Sequence, residues 1–123
     1  MNEHTSVYFL DNDASFVTEQ SIVLRAAGMD VRSFASACQF LDSVSPESRG
    51  CVIADLAMPE MSGDQLAIAI KQVAPERPII MLTGFGDLMD AKGEKPVGVD
   101  VIVGKPVTFD ALQDAILQVV TRA

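Results

Sequence analysis

The stretch CVIADLAMPEMSG, residues 51–63, is an apolar run that ends in one carboxylate and then turns through a Met-Pro pair. Cys51 and the three residues after it are apolar without alternation, which is typical of a strand covered on both faces of a parallel sheet. Asp55 follows at once, and burying a carboxylate is unfavourable unless a cation or a metal ion meets it. The stretch therefore predicts a buried strand whose end needs a charged partner from elsewhere in the chain.

Four more short segments are predicted to be strands, and segments with helical spacing alternate with them. These strands lie at residues 7–10, 31–34, 78–82 and 99–103, of which 7–10 and 78–82 are continuous apolar runs. Helices are predicted at about residues 14–27, 37–44, 64–73 and 109–120, and Asp13, Ser36 and Thr108 are predicted to cap three of them. In the first helix the side chains expected to face the core are Phe16, Val23, Leu24 and Ala27.

The helix candidate at residues 87–95 is weaker than the others. It contains Gly93, and Pro96 cuts it short. Strands that alternate with helices nevertheless indicate a doubly wound α/β domain with a five-stranded parallel sheet. We expect one domain over residues 1–123, with its core at about 6–121.

Composition narrows the function further. The 123 residues suffice for one hydrophobic core, and the net charge of −8 disfavours direct binding to nucleic acid through its phosphates. The first residues lack the pattern of a secretory signal, and no apolar run approaches the roughly 18 residues of a membrane span. Cys38 and Cys51 are predicted to be reduced packing residues. These observations predict a soluble cytoplasmic domain that does not contact the membrane.

Polar residues stand where four of the predicted strands end. These are Asp11, Asp55, Thr83 and Lys105. In a doubly wound sheet the carboxyl ends of the strands form one crevice, so the four side chains should converge there. Paired carboxylates suit Mg²⁺, while an ammonium and a hydroxyl can bind anionic oxygens. Together they predict a site for phosphoryl transfer to a carboxylate.

This combination resembles the CheY-like receiver domain of two-component response regulators, a flavodoxin-like fold, over essentially the whole chain. The matching residues are Asp11, Asp55 in DLAMPEMSG, Thr83 in LTG, and Lys105-Pro106. The resemblance implies that Asp55 is the phosphoacceptor and that Thr83 and Lys105 bind the transferred group. It also implies that Asp11, Asp55 and the backbone carbonyl of Ala57 hold Mg²⁺, and that the bond between Lys105 and Pro106 is cis.

The resemblance also implies partners. A sensor histidine kinase or a histidine phosphotransfer domain would supply the phosphoryl group, and an output domain or a downstream protein would respond to it. A homodimer through the face at residues 86–120 is a further expectation. Such a domain takes part in a phosphorelay as a phosphoprotein and does not turn over an external substrate.

Three positions depart from the family pattern. Asn12 stands where a second acidic metal ligand is usual. Its amide oxygen remains a candidate ligand, but the site loses one negative charge, which predicts weaker Mg²⁺ binding. Asp13 compensates for that charge only if its side chain turns into the crevice. Ile102 occupies the position of the family's aromatic switch residue. The segment at residues 87–96 replaces a regular helix, which predicts an altered output surface.

Two alternatives stay open on the sequence. The first is a receiver-like interaction module that signals without phosphorylation, which Asn12, Ile102 and the irregular segment at residues 87–96 would suit together. The second is a phosphatase of the haloacid-dehalogenase type, with Asp11 as nucleophile and Asp13 as acid and base, which would leave Asp55 unexplained.

Overall fold

The computed structural model describes residues 5–47, 49–58, 60–84 and 97–122, with side chains described as far as residue 120. The elements in these parts of the chain are β1 (Ser6–Leu10), α1 (Ala14–Ala26), β2 (Asp30–Phe34), α2 (Ala37–Asp42), β3 (Cys51–Asp55), α3 (Gly63–Val73), β4 (Ile79–Thr83), β5 (Val101–Gly104) and α4 (Phe109–Arg122). The weak helix candidate at 87–95, the irregular segment at 87–96 and the first part of the face at 86–120 lie outside the described residues.

The strands pair in parallel, in the order β2-β1-β3-β4-β5. The chain runs to one side of β1 to form β2 and to the other side to form β3, so the strand order reverses between β1 and β3. This reversal is the place where doubly wound sheets bind ligands. The predicted fold class is confirmed. The strand β5 begins two residues later than predicted, after a turn in which Gly98 has a φ of +89°.

The sheet is covered on both faces, as the continuous apolar strands predict. On one face α1 and α4 pack against alternate strand residues such as Val7, Phe9 and Ile53. On the other face α2 and α3 pack against the residues between them, such as Val52 and Ala54. None of the helices in the described parts of the chain is both long and apolar enough to span a lipid bilayer.

The predicted helix caps are confirmed. The side chain of Asp13 accepts a hydrogen bond from the Phe16 N–H, and Ser36 and Thr108 bind the third residue after them in the same way. Each cap satisfies one of the N–H groups that the first turn of a helix leaves without a partner.

The predicted core face of α1 is partly wrong. Val17, Ser21 and Leu24 are the buried positions, at helical spacing, whereas Val23 and Ala27 are exposed. The packing prediction for cysteine is also only half right, since Cys51 is buried and Cys38 is exposed, both as free thiols. Burial raises the pKa of the Cys51 thiol to about 12, so it stays neutral and behaves as a small apolar residue.

The loop between β3 and α3 closes tightly. The N–H of Gly63 donates to the carbonyl of Leu56 at 2.7 Å. A Cβ at position 63 would lie 2.8 Å from the Leu56 Cα and would collide with the Met81 side chain. Because backbone cannot yield as a flexible side chain can, only glycine fits here without moving the loop.

We expect Gly63→Ala to lower the free energy of unfolding by about 1–3 kcal/mol, the usual effect of overpacking. Gly104→Ala is the matched control, because a Cβ there meets no atom within 4 Å outside its chain neighbours. Urea unfolding of the two variants measures the difference. Equal midpoints for Gly63→Ala, Gly104→Ala and wild type would show that the loop has room that the structure denies it.

Candidate functional site

Four polar residues lie at the carboxyl edge of the sheet, where the strands deliver them. Asp11 directly follows β1, Asp55 ends β3, Thr83 ends β4, and Lys105 directly follows β5. The pairing of Leu10 with Ala54 makes Asp11 and Asp55 neighbours across the strand reversal. The edge is completed by the backbone N–H of Lys105, which donates to the carbonyl of Thr83 at 2.8 Å.

The ammonium of Lys105 bridges the two carboxylates. Its Nζ lies 3.3 Å from Oδ2 of Asp11 and 3.2 Å from Oδ2 of Asp55. The Asp11 side chain is 1% exposed and the Asp55 side chain 9%, while that of Lys105 is 29% exposed. Two nearly buried anions thus share one cation that still reaches solvent. The predicted cis bond between Lys105 and Pro106 is present.

Backbone groups fix the second oxygen of each carboxylate. Oδ1 of Asp11 accepts the N–H of Asp13 at 2.9 Å, and Oδ1 of Asp55 accepts the N–H of Ala57 at 3.2 Å. Each carboxylate is therefore held by one backbone donor and one ammonium, which sets the orientation of both groups.

Burial and charge act in opposite directions on these groups. Burial raises the pKa of Asp11, and the neighbouring charge of Asp55 adds to the rise, against the opposing effects of the Asp13 N–H and Lys105. Burial by itself lowers the pKa of Lys105, but the charges of Asp11 and Asp55 outweigh it and leave that pKa raised. Lys105 is therefore a cation at neutral pH, and ionised Asp11 is held at an energetic disadvantage.

An aromatic ring that sequence reasoning assigned only to packing also faces the site. The Nζ of Lys105 lies 5.1 Å from the centroid of the Phe16 ring, on the first turns of α1. The ring is partly buried and meets Phe9 edge to face at 5.8 Å. The sequence carried a weak signal for this contact, because Phe16 lies three residues after the cap Asp13, close to the carboxyl edge.

Thr83 lies at the same edge of the sheet, and its hydroxyl contacts the neighbouring backbone. It is buried, and its hydroxyl donates to the carbonyl of Gly84 at 3.2 Å. A hydroxyl has one hydrogen to donate, so donation to a group on Asp55 requires the Thr83 side chain to release Gly84.

The positions after Asp11 settle what Asp13 does. Asn12 is exposed, and Oδ1 of Asp13 accepts the N–H of Phe16 at 3.1 Å as the cap of α1. In this structure Asp13 therefore caps α1, and it is an exposed residue like Asn12.

The donors at this edge fit a magnesium ion. The described residues contain no group of three or more His, Cys, Asp or Glu side chains placed to hold a metal ion, so the carboxylates here number two. Mg²⁺ commonly binds through one or two carboxylates and completes its shell with other oxygens and water. Asn12 and Ala57, whose amide and carbonyl oxygens are the further predicted ligands, are both exposed.

Comparison with known proteins agrees with this geometry. The family model of the response regulator receiver domain matches residues 7–117. The response regulator protein TodT of Pseudomonas putida is 37% identical over 118 residues, which cover 94% of this chain and 52% of TodT. The transcriptional regulatory protein FixJ of Bradyrhizobium diazoefficiens is 32% identical over 117 residues, or 95% of this chain and 57% of FixJ. The chain thus spans about half the length of these relatives.

Solved structures give the same result. The receiver domain protein of Clostridium thermocellum superposes with a TM-score of 0.84 at 28% identity, covering 96% of this chain and 95% of that one. Full-length FixJ from B. japonicum superposes with a TM-score of 0.86 at 30% identity, covering 96% of this chain and 58% of that one. With its parallel sheet, its strand-end carboxylates and the bridging lysine, the chain belongs to the receiver domains of two-component response regulators.

Proposed function

We infer that Asp55 is the phosphoacceptor of this receiver domain and that it takes a phosphoryl group from a phosphohistidine. The observation that carries this proposal is the ammonium of Lys105, 3.2 Å from Asp55 and 3.3 Å from Asp11. A cation placed on a carboxylate that ends a buried strand is suited to the charge that a phosphoryl group brings.

The reaction needs no base. An ionised Asp55 oxygen attacks phosphorus, the P–N bond of the phosphohistidine breaks, and its electron pair returns to the imidazole, which takes up a proton. The new acyl phosphate carries more negative charge than the carboxylate it replaces. Lys105 is in position to pair with it, and Thr83 can donate to it after releasing Gly84. Mg²⁺ bound by Asp11, Asp55, Asn12 and the Ala57 carbonyl would neutralise charge on the phosphoryl oxygens.

The partners follow from this chemistry. The donor is a sensor histidine kinase or a histidine phosphotransfer domain, and an output domain or a separate protein responds. The chain covers about half of TodT and a quarter of DctD, a transcriptional regulatory protein of Rhizobium meliloti, which supports an output domain as the responder. We also propose that a single domain spans residues 1–123, that it works in the cytoplasm, and that it forms a homodimer through the face at 86–120. It does not turn over an external substrate.

The phosphatase alternative finds less support. Its proposed acid and base, Asp13, caps α1. Asp55, which that alternative leaves without a role, shares the lysine with Asp11.

We expect a small phosphodonor with Mg²⁺ to add one phosphoryl group to the protein, detected by intact mass. Borohydride reduction of the acyl phosphate followed by peptide mapping should mark Asp55. Asp55→Asn should abolish the modification, because an amide is not a nucleophile for this transfer, and chelation of Mg²⁺ should suppress it.

The control is Asp13→Asn, which keeps the helix cap and should be phosphorylated like wild type. Labelling at Asp11 would favour the phosphatase. No modification of folded protein at millimolar Mg²⁺ would favour the interaction module that works without phosphorylation.

Asp11 is expected to lower the stability of the metal-free protein. Its pKa is raised from the ordinary value of 3.8, so ionisation costs the folded state more than the unfolded one. The resulting loss of folding stability is absent below pH 3.8 and complete above the raised pKa of Asp11. We expect Asp11→Asn to raise Tm at neutral pH with a chelator present, and the gain to vanish as the pH falls below 3.8.

Thermal unfolding followed by circular dichroism measures this, with Asp13→Asn as the control of unchanged Tm. A lower Tm for Asp11→Asn at neutral pH would mean that the Lys105 bridge outweighs the burial of the carboxylate. If Asp11→Asn raises Tm and also loses phosphorylation, then Asp11 serves the reaction and not the stability of the fold.

Asn12 should set the affinity for Mg²⁺. We expect Asn12→Asp to tighten Mg²⁺ binding by about fivefold or more, since one added charge near 4 Å is worth about 1 kcal/mol even in water. Amide shifts titrated with Mg²⁺ report the affinity. Thr18→Asp, which adds the same charge at an exposed position further along α1, should leave it unchanged. Equal affinities for Asn12→Asp and wild type would exclude position 12 from the metal site.

A further inference from the structure

Among the described residues, the ammonium of Lys105 meets three groups from separate parts of the chain. Two are the carboxylates that follow β1 and end β3, and the third is the ring of Phe16 on α1, with its centroid 5.1 Å from Nζ. A lysine side chain has four rotatable carbon bonds, and the fractional exposure of this one leaves room for it to swing into solvent. The direction in which Lys105 points therefore depends on what lies around its Nζ.

The ring itself is held in place. It meets the ring of Phe9 at 5.8 Å with 71° between the planes, and Phe9 is fully buried in the core. The N–H of Phe16 donates to the cap Asp13, which fixes the first turn of α1. The ring is thus a rigid surface at the edge of the site, anchored from the core side and from the helix start.

An ammonium within about 6 Å of an aromatic centroid is attracted by the negative face of the ring. This attraction differs from that of the carboxylates in one respect that matters here. Phosphorylation changes Asp55, and a bound cation would compete with Lys105 for Asp11 and Asp55. The ring takes part in neither event, so its hold on the ammonium is independent of both.

We propose that Phe16 is a positioning residue whose ring face keeps the Lys105 ammonium at Asp55 before and after phosphorylation. The proposal rests on the proposed function of Asp55. In simple core packing a leucine would serve as well as the ring, because Phe16 is only partly buried. In the positioning role the electron density of the ring face is required, and a leucine of similar size cannot supply it.

The test compares variants at position 16 by the rate of phosphorylation with a small phosphodonor and by the affinity for beryllofluoride. We expect Phe16→Leu to lower both by about threefold to thirtyfold, the range that corresponds to a cation–π contact. Phe16→Tyr should stay close to wild type. A trifluorinated phenylalanine introduced at this position alone keeps the shape and weakens the negative face, so it should fall near Phe16→Leu.

The matched control is Phe34→Leu. Phe34 packs against Tyr8 and Phe40 in an aromatic cluster on the other face of the sheet. The same loss of a ring there should leave phosphorylation and beryllofluoride binding unchanged.

A second readout does not depend on phosphorylation. Ring current should move the NMR signals of the Lys105 side-chain methylene protons upfield in wild type and in Phe16→Tyr, and Phe16→Leu should abolish the shift. Wild-type rates in Phe16→Leu, or in the fluorinated protein, would overturn the proposal. If the wild-type protein accepts no phosphoryl group, the proposed function of Asp55 is wrong. The chemical shifts of Lys105 then still report whether the ring of Phe16 contacts the ammonium.

Discussion

The structure of the site depends on one ammonium between two buried carboxylates. The strand reversal makes Asp11 and Asp55 neighbours, and two ionised carboxylates side by side in a poorly solvated place repel each other. Lys105 relieves this repulsion, yet it stands 94 positions after Asp11 and 50 after Asp55 along the chain. It reaches both because β5 ends at the same edge of the sheet, beyond β4. The bridge therefore depends on the alignment of β1, β3, β4 and β5 in their order.

The loop after Asp55 shows a second dependence, on the helices of the opposite face. The carboxylate of Glu60 accepts hydrogen bonds from the Ser36 hydroxyl at 2.8 Å and from the Ala37 N–H at 2.7 Å. The Ser36 hydroxyl, together with these backbone donors, holds the pKa of Glu60 below its usual value, so the contact is anionic at neutral pH. Glu60 thus ties the loop to the start of α2, while Gly63 closes it against Leu56 at the start of α3. Ala57, whose N–H orients Asp55, lies between β3 and these anchors.

Much of this was predictable from the sequence, for a physical reason. Continuous apolar runs define strands of a parallel sheet, and the rule that such strands end at one edge brings Asp11, Asp55 and Lys105 together without any knowledge of side-chain positions. The contact of Glu60 with Ser36 was not predictable, and that of Phe16 with Lys105 had only a weak signal in the position of Phe16 close to the carboxyl edge. Each joins residues on different elements, and it depends on the direction of a long side chain and on where a helix lies on the sheet. The core face of α1 was misjudged for a related reason, since hydrophobicity favoured Val23 whereas packing geometry buries Ser21.

The same contacts limit how a change at Asp55 can travel. The backbone of Lys105 is bonded to Thr83, and Thr83 in turn donates to Gly84, so the ends of β4 and β5 are mechanically joined. If Asp55 is phosphorylated as proposed, the added charge would attract the Lys105 ammonium, and the Thr83 hydroxyl would have to release Gly84 before it donates to the new group. Ile102, on β5 beside Met81, has neither a ring to rotate nor a polar atom to exchange a hydrogen bond. A rotating aromatic side chain at this position, which the family pattern provides, is therefore not available to relay a change at Asp55.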